Sequence, residues 1–171
     1  MALKTEFTFN DKTYRHFING FEAVMHCHHY MALTTMIAKK FDEYGGSRIL
    51  AESAEDAVRP MFDSYAEKNS LPPGDERLKM AAEFYEVMGM GQMEAQGSPE
   101  GGQVMLTRSH VDQGWLTKFG PADSPLNYWT SGYISAMFGC AFEQSARGYD
   151  VVETSSIVQG EKVGKFKVKV K

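Results

Sequence analysis

The sequence predicts an α+β fold, with helices packed on a four-stranded antiparallel sheet made of two hairpins. Three observations predict it. The first half of the chain is nearly free of internal breakers and reads as successive helices. Two stretches of short apolar–polar alternation, 86–109 and 149–171, each carry a glycine-bearing turn. One long apolar helical stretch lies between them. At 171 residues, with no linker or low-complexity segment, the expectation is a single domain, residues 1–171.

Phe7 and Phe9 alternate with polar residues in TEFTFN (5–10), as in a short strand or an ordered arm. From Asp11 to about Tyr44 there is no proline and only Gly20, which predicts one long helix stopped by Gly45–Gly46. Ser47 then caps a second helix to about Asn69, kinked or split at Pro60. LPPGD (71–75) breaks the chain before a third helix through about Tyr85. The first hairpin pairs 86–96 with 103–109 around GSPEGG, and 110–120 forms a short helix or irregular turn. A long helix at about 126–147 ends at Gly148, and the tail is a second hairpin. In its last strand Phe166, Val168 and Val170 share one face, and Lys165, Lys167, Lys169 and Lys171 the other. That lysine row reads as a solvated sheet face or a protected edge.

Composition narrows the function classes. With 18 Lys+Arg against 22 Asp+Glu, the formal charge of -4 argues against a nucleic-acid binder. No apolar run is long enough to span a bilayer, and MALKTEFTFNDK lacks the order of a signal peptide. The 2 cysteines make no disulfide framework, so the expected location is cytoplasmic. The 11 methionines point to a pliable core or an adaptable binding surface.

The densest reactive cluster is MHCHHY (25–30). On a helix, His28 would join Phe17, Phe21, Val24 and Met31, while His26 would point almost oppositely. His26 and His29, at i and i+3, would then chelate a divalent transition metal with a further ligand from among His110, Glu22, Asp112 and Cys140. The alternative is a buried helix whose histidines hydrogen-bond to neighbours, because HCHH lacks the regularity of specific metal motifs. Cys27 and Cys140 are candidate nucleophiles, but both read more simply as buried core thiols. GMGQ (89–92) lacks the strand–helix context of a dinucleotide fingerprint and reads as a bulge. The 126–147 helix is apolar on two sides: Leu126, Trp129, Tyr133, Met137 and Cys140 on one, Ile134, Phe138 and Phe142 on the other. Such a helix must bury both, against the sheet and against a ligand cavity or a second subunit.

GYISAMFGCAF (132–142) and VVETSSIVQGEKVGKFKVKV (151–170), with MGMGQMEA (88–95) and GSRILAESAEDAV (46–58), resemble the 4-vinyl reductase domain family. That fold is shared with TRAPP trafficking subunits and with sensory domains of aromatic-responsive activators. The resemblance covers about 45–170 and leaves 1–44 as an N-terminal arm and helix. Glu153, Gly160 and Phe166 occupy the family's aliphatic-Glu, turn-glycine and terminal-aromatic places. Zinc-bearing members carry cysteines where this chain has Ser156 and Gly164, so the resemblance brings no structural zinc.

The resemblance implies a homodimer that binds a small apolar or aromatic molecule between helices and sheet. The expected pocket comprises Phe21, Met25 and His28 on the first helix, His110 and Trp115, and Trp129 and Tyr133 on the long helix. A looser similarity to thiazoline-carboxylate hydrolases implies a metal-dependent hydrolase using His26, His29 and His110. A third expectation is a pure assembly subunit with neither cavity nor metal.

Overall fold

The structure, a computed structural model, describes residues 3–24 and 27–171. Strands β1 (Phe7–Asn10), β2 (Arg15–Ile18) and β3 (Phe21–Ala23) form an antiparallel meander of their own. Helices α1 (His28–Lys40), α2 (Gly46–Lys68) and α3 (Asp75–Val87) follow. Then come β4 (Gly91–Ser98), β5 (Gly101–Ser109), α4 (His110–Phe119), α5 (Tyr128–Ala141), β6 (Tyr149–Ser155) and β7 (Gly164–Val170). The two hairpins join through β5 and β7 into a four-stranded antiparallel sheet, order β4-β5-β7-β6. The expected α+β class and two-hairpin sheet are both present. Since β7 is an inner strand, its lysine row is a solvated sheet face and not an edge.

The expected long helix over 11–44 is not formed. Asn19 and Gly20 both have positive φ (50° and 83°) and close a two-residue hairpin between Ile18 and Phe21. An Asn-Gly pair suits such a turn because its twist matches that of the strands. One turn earlier the Asn10 carboxamide oxygen accepts from the Lys12 and Thr13 amides, bending the chain between β1 and β2. Among the described residues the first helix begins at His28, with Cys27 as its N-cap. The helical-face assignments for Phe17, Phe21 and Val24 therefore do not apply, and Cys27 is exposed and not a core thiol.

Helix α2 runs unbroken through Pro60. Gly45, in the left-handed region, stands at its N-cap in place of Ser47. Helix α5 is shorter than expected, because Glu143 and Arg147 adopt positive φ and the chain turns off at Phe142. Arg77 Nη1 donates to the Cys140 carbonyl and Arg59 Nη1 to that of Gln144, each at 3.0 Å. Guanidinium groups from α2 and α3 thus hold carbonyls at the end of α5 and just beyond.

From Gly132 to Ala141 every residue of α5 is buried. The sheet covers one side with Met93, Val104, Leu106, Phe166 and Val168. Helix α2 covers the other, so closely that a Cβ at Gly132 would run into the Ala51 carbonyl. Phe62 of α2 meets Tyr133 edge-on at 5.1 Å, and Tyr133 Oη donates to Ala81 O of α3 at 2.6 Å. Both apolar sides of this helix are thus covered by its own chain. The surplus apolar surface lies elsewhere, on an exposed stripe of Tyr30, Leu33, Ile37, Phe41 and Tyr44 along α1 and the turn after it.

Gly132→Ala forces α2 and α5 apart and is expected to cost about 3 kcal/mol of stability. Urea unfolding followed by circular dichroism checks it; a variant as stable as the parent would refute the close approach.

Candidate functional site

The three-stranded meander does not pack flat on the helical body. It is tied at its base, where Lys4 N donates to Tyr65 Oη at 3.1 Å and where Leu3 and Phe21 pack on the core. Beyond that tie lies a cavity of about 630 Å³. Its outer wall is the meander, including His16, Phe17, Phe21 and Glu22. Its inner wall combines Met61 of α2, Val87 at the end of α3 with Met88–Met90 after it, His110 at the start of α4 and Trp129 in the first turn of α5. The lining is largely apolar, with a few polar groups, as in small-molecule sites. A separate concavity of about 450 Å³ on the outer sheet face has a more polar lining, which includes Glu94, Gln96, Gln103, Lys165 and Lys167 beside Met105.

Of the expected pocket residues, Phe21, His110 and Trp129 line this cavity. Met25 and His26 lie outside the described residues. His28 opens α1, with its ring 6.5 Å from that of His110 and 4.2 Å from that of His29. His28 does not line the cavity, and neither do Trp115 and Tyr133. Trp115 faces away from it, packing with Leu126 and Val158 and lying under the Lys39 ammonium at 5.3 Å. Tyr133 is buried one layer behind Trp129, their rings stacked at 5.5 Å. The sequence reading missed Met61, Met88 and Met90; the run MGMGQM (88–93) was the available signal.

His29 and His110, two of the three expected metal ligands, are on or beside α1 and α4. Among the described residues no three His, Cys, Asp or Glu side chains converge to hold a metal. Cys140 is buried, which pushes its thiol up to about 12, with nearby Asp63 adding to the effect; that thiol is inert near neutrality.

A second polar assembly sits behind α4, away from the cavity. Ser109, the N-cap of α4, accepts from the Asp112 amide at 3.1 Å. Asn127, just before α5, donates its Nδ2 to Asp112 Oδ2 at 2.6 Å and to Ser109 Oγ at 3.2 Å. Its backbone N–H donates to Glu153 Oε2 of β6 at 3.2 Å. Burial pushes the Glu153 carboxyl up to about 7, helped by the nearby Asp112 charge, and raises Asp112 as well. Ser156 is fully buried beside Glu153, and Gly164 has no side chain to offer. The donors here are oxygens, so a thiolate-held zinc of the resembled family does not fit.

No known family and no curated protein sequence matches this chain. Solved structures do. The phenol-responsive sensory domain of the transcription activator PoxR, solved with phenol, superposes with TM-score 0.76 at 12% identity, covering 96% of this chain and 84% of that one. A vinyl-4-reductase family protein from Methanocaldococcus jannaschii gives 0.52 at 16% identity, over 71% and 68% of the two chains. The chain has the 4-vinyl-reductase fold. A trafficking protein particle complex subunit 3 from Naegleria fowleri, covalently bound to palmitic acid, gives 0.53 at 13%, over 84% and 95%. Among the described residues no helix is long and apolar enough to cross a membrane.

Two outcomes follow. Ellman's reagent is expected to titrate Cys27 alone in the native protein and both thiols after denaturation; prompt reaction of two would contradict the burial of Cys140. Glu153 binds its proton more tightly folded (about 7) than unfolded (4.5), so its contribution is complete below 4.5 and lost as pH rises through about 7. In chelator-treated protein, the parent should therefore lose more urea resistance than Glu153→Gln between about pH 5 and about pH 8. Equal losses would refute the shift.

Proposed function

We propose that this chain is a binding or sensing domain for a small apolar or aromatic molecule, held without covalent attachment in the cavity under the meander. The observation that carries the reading is the cavity itself. At about 630 Å³ it falls within the roughly 300–1,000 Å³ usual for ligand sites. Trp129 offers a ring face, and Met61, Met88 and Met90 adapt to varied outlines. His110 supplies an imidazole in the inner wall, where it would orient a hydroxylated ring. The likeness to a sensory domain solved with phenol supports the same class of ligand.

The functional unit in this proposal is a homodimer joined through α1. Leu33 and Ile37 are half exposed or more, and with Tyr30, Phe41 and Tyr44 they recur at helical spacing. Apolar surface gathered in this way marks an interaction surface, and a two-fold axis would pair the stripe with its own copy.

Trp115→Phe leaves Trp129 as the sole indole reporter. Phenol, naphthol or their hydrocarbon counterparts should quench it and raise the melting temperature. At 100 times Kd the stabilisation is about 2.7 kcal/mol. His110→Ala should weaken the hydroxylated ligand about tenfold and its hydrocarbon counterpart little. If no compound across a graded size series moves either signal, the reading fails. For the dimer, Leu33→Glu with Ile37→Glu should give monomers in sedimentation; a monomeric parent would refute it.

A further inference from the structure

The polar assembly behind α4 contains more oxygen than it satisfies. Asp112 Oδ1, Asn127 Oδ1, Glu153 Oε1 and Ser156 Oγ are all shielded from solvent, and none has a hydrogen-bond partner. Asp112, Asn127 and Ser156 are each at most 2% exposed. Buried polar atoms are nearly always paired, and four orphans within one set of touching residues is far from the norm. Their arrangement is ordered. Both hydrogens of the Asn127 amide are taken by Ser109 and Asp112, which turns its oxygen the other way. Each carboxylate has one oxygen held by Asn127 and one left over. Ser156 lies close enough to stabilise charge on Glu153, yet makes no hydrogen bond of ordinary geometry.

The charge balance is equally incomplete. Among the described residues neither Asp112 nor Glu153 belongs to an ion pair; the arginines and lysines that pair do so elsewhere. A buried carboxylate, Asp112, beside a partly buried one, Glu153, is costly without a cation, and the surrounding donors are neutral. The leftover atoms are two carboxylate oxygens, one amide carbonyl and one hydroxyl. That is the ligand set of a hard divalent cation, and it contains no sulfur or imidazole to favour zinc or copper.

We infer that Asp112, Asn127, Glu153 and Ser156 form an oxygen-lined site for one hard divalent cation of the magnesium, calcium and manganese class. The ion would neutralise both carboxylates and tie α4, the start of α5 and the end of β6 at one point. The site is separate from the cavity and stands whether or not a ligand binds there.

Untagged protein treated with EDTA and desalted is titrated calorimetrically with calcium, magnesium and manganese chloride. The expected result is one ion per chain for at least one of them, with a higher melting temperature. Asp112→Asn should weaken binding at least tenfold. Glu153→Gln is the second variant, so that loss of fold in one, judged by near-ultraviolet circular dichroism, does not decide the matter. The inference is overturned if none of the three ions binds at millimolar concentration. It is equally overturned if binding survives both substitutions, or if zinc alone binds.

Discussion

The close approach of α5 to α2 is the constraint on which the rest of the structure depends. Two helices come this near only where one offers a bare backbone, and Gly132 provides it against the Ala51 carbonyl. Gly139 does the same for the Arg59 guanidinium. With α2 so placed, α5 is left with no water-facing side between Gly132 and Ala141, and the sheet and α3 complete its cover. An apolar helix enclosed on all sides needs its polar ends satisfied, and the ends are where the polar chemistry of this chain collects. Arg59 and Arg77 serve its C-terminal end, and the Asn127 network its N-terminal end.

The cavity follows from a mismatch between two bodies of unequal solidity. Its inner wall belongs to the main core, where the rings of Tyr85, Trp129 and Tyr133 lie within 6.4 Å of one another. Its outer wall is a meander of strands three and four residues long, whose residues are mostly exposed. Short strands with one thin apolar face open at low cost, which suits a wall that must admit a molecule. Phe21 gains its burial only by packing on the helical body, so a guest that adds apolar contact to it also strengthens the wall.

The sequence made much of this architecture legible, and the failures share a cause. Helices α2 and α3 and both hairpins are marked by local signals: Gly45–Gly46, Pro72–Pro73–Gly74, and alternation that stops at glycine. The N-terminal segment departs from the expected helix because Asn19–Gly20, a local hairpin signal, outweighs the absence of proline. The end of α5 was not locally readable. Gln144, Ser145 and Ala146 do not oppose a helix, and what stops it includes two arginines distant in sequence. The same division holds for the sites. Phe21, His110 and Trp129 stand out as aromatic or reactive residues, whereas Met61 becomes a wall residue only through the packing of α2. Asp112, Asn127 and Glu153 are separated by 15 and 26 positions, and no motif spacing joins them.

The polar network and the cavity meet in the first turn of α4. His110 and Asp112 are two residues apart, about 200° round the helix, so one faces the cavity and the other the Asn127 network. Ser109 caps that turn through the Asp112 amide, and the His110 amide is held by Met90 O at 2.8 Å. Asn127, which directly precedes α5 and stands two positions before Trp129, bonds to Ser109 and Asp112 of that turn. His110 and Trp129, both in the inner wall of the cavity, are therefore fixed relative to each other through this network. Each neutral hydrogen bond in such a chain contributes about 1 kcal/mol, and those to a carboxylate more. A buried, mutually bonded set of this kind specifies position more than it adds stability, because an apolar replacement would fill the same space without fixing a direction. In this fold the polar interior behind α4 sets the geometry, and the apolar cavity in front of it uses that geometry.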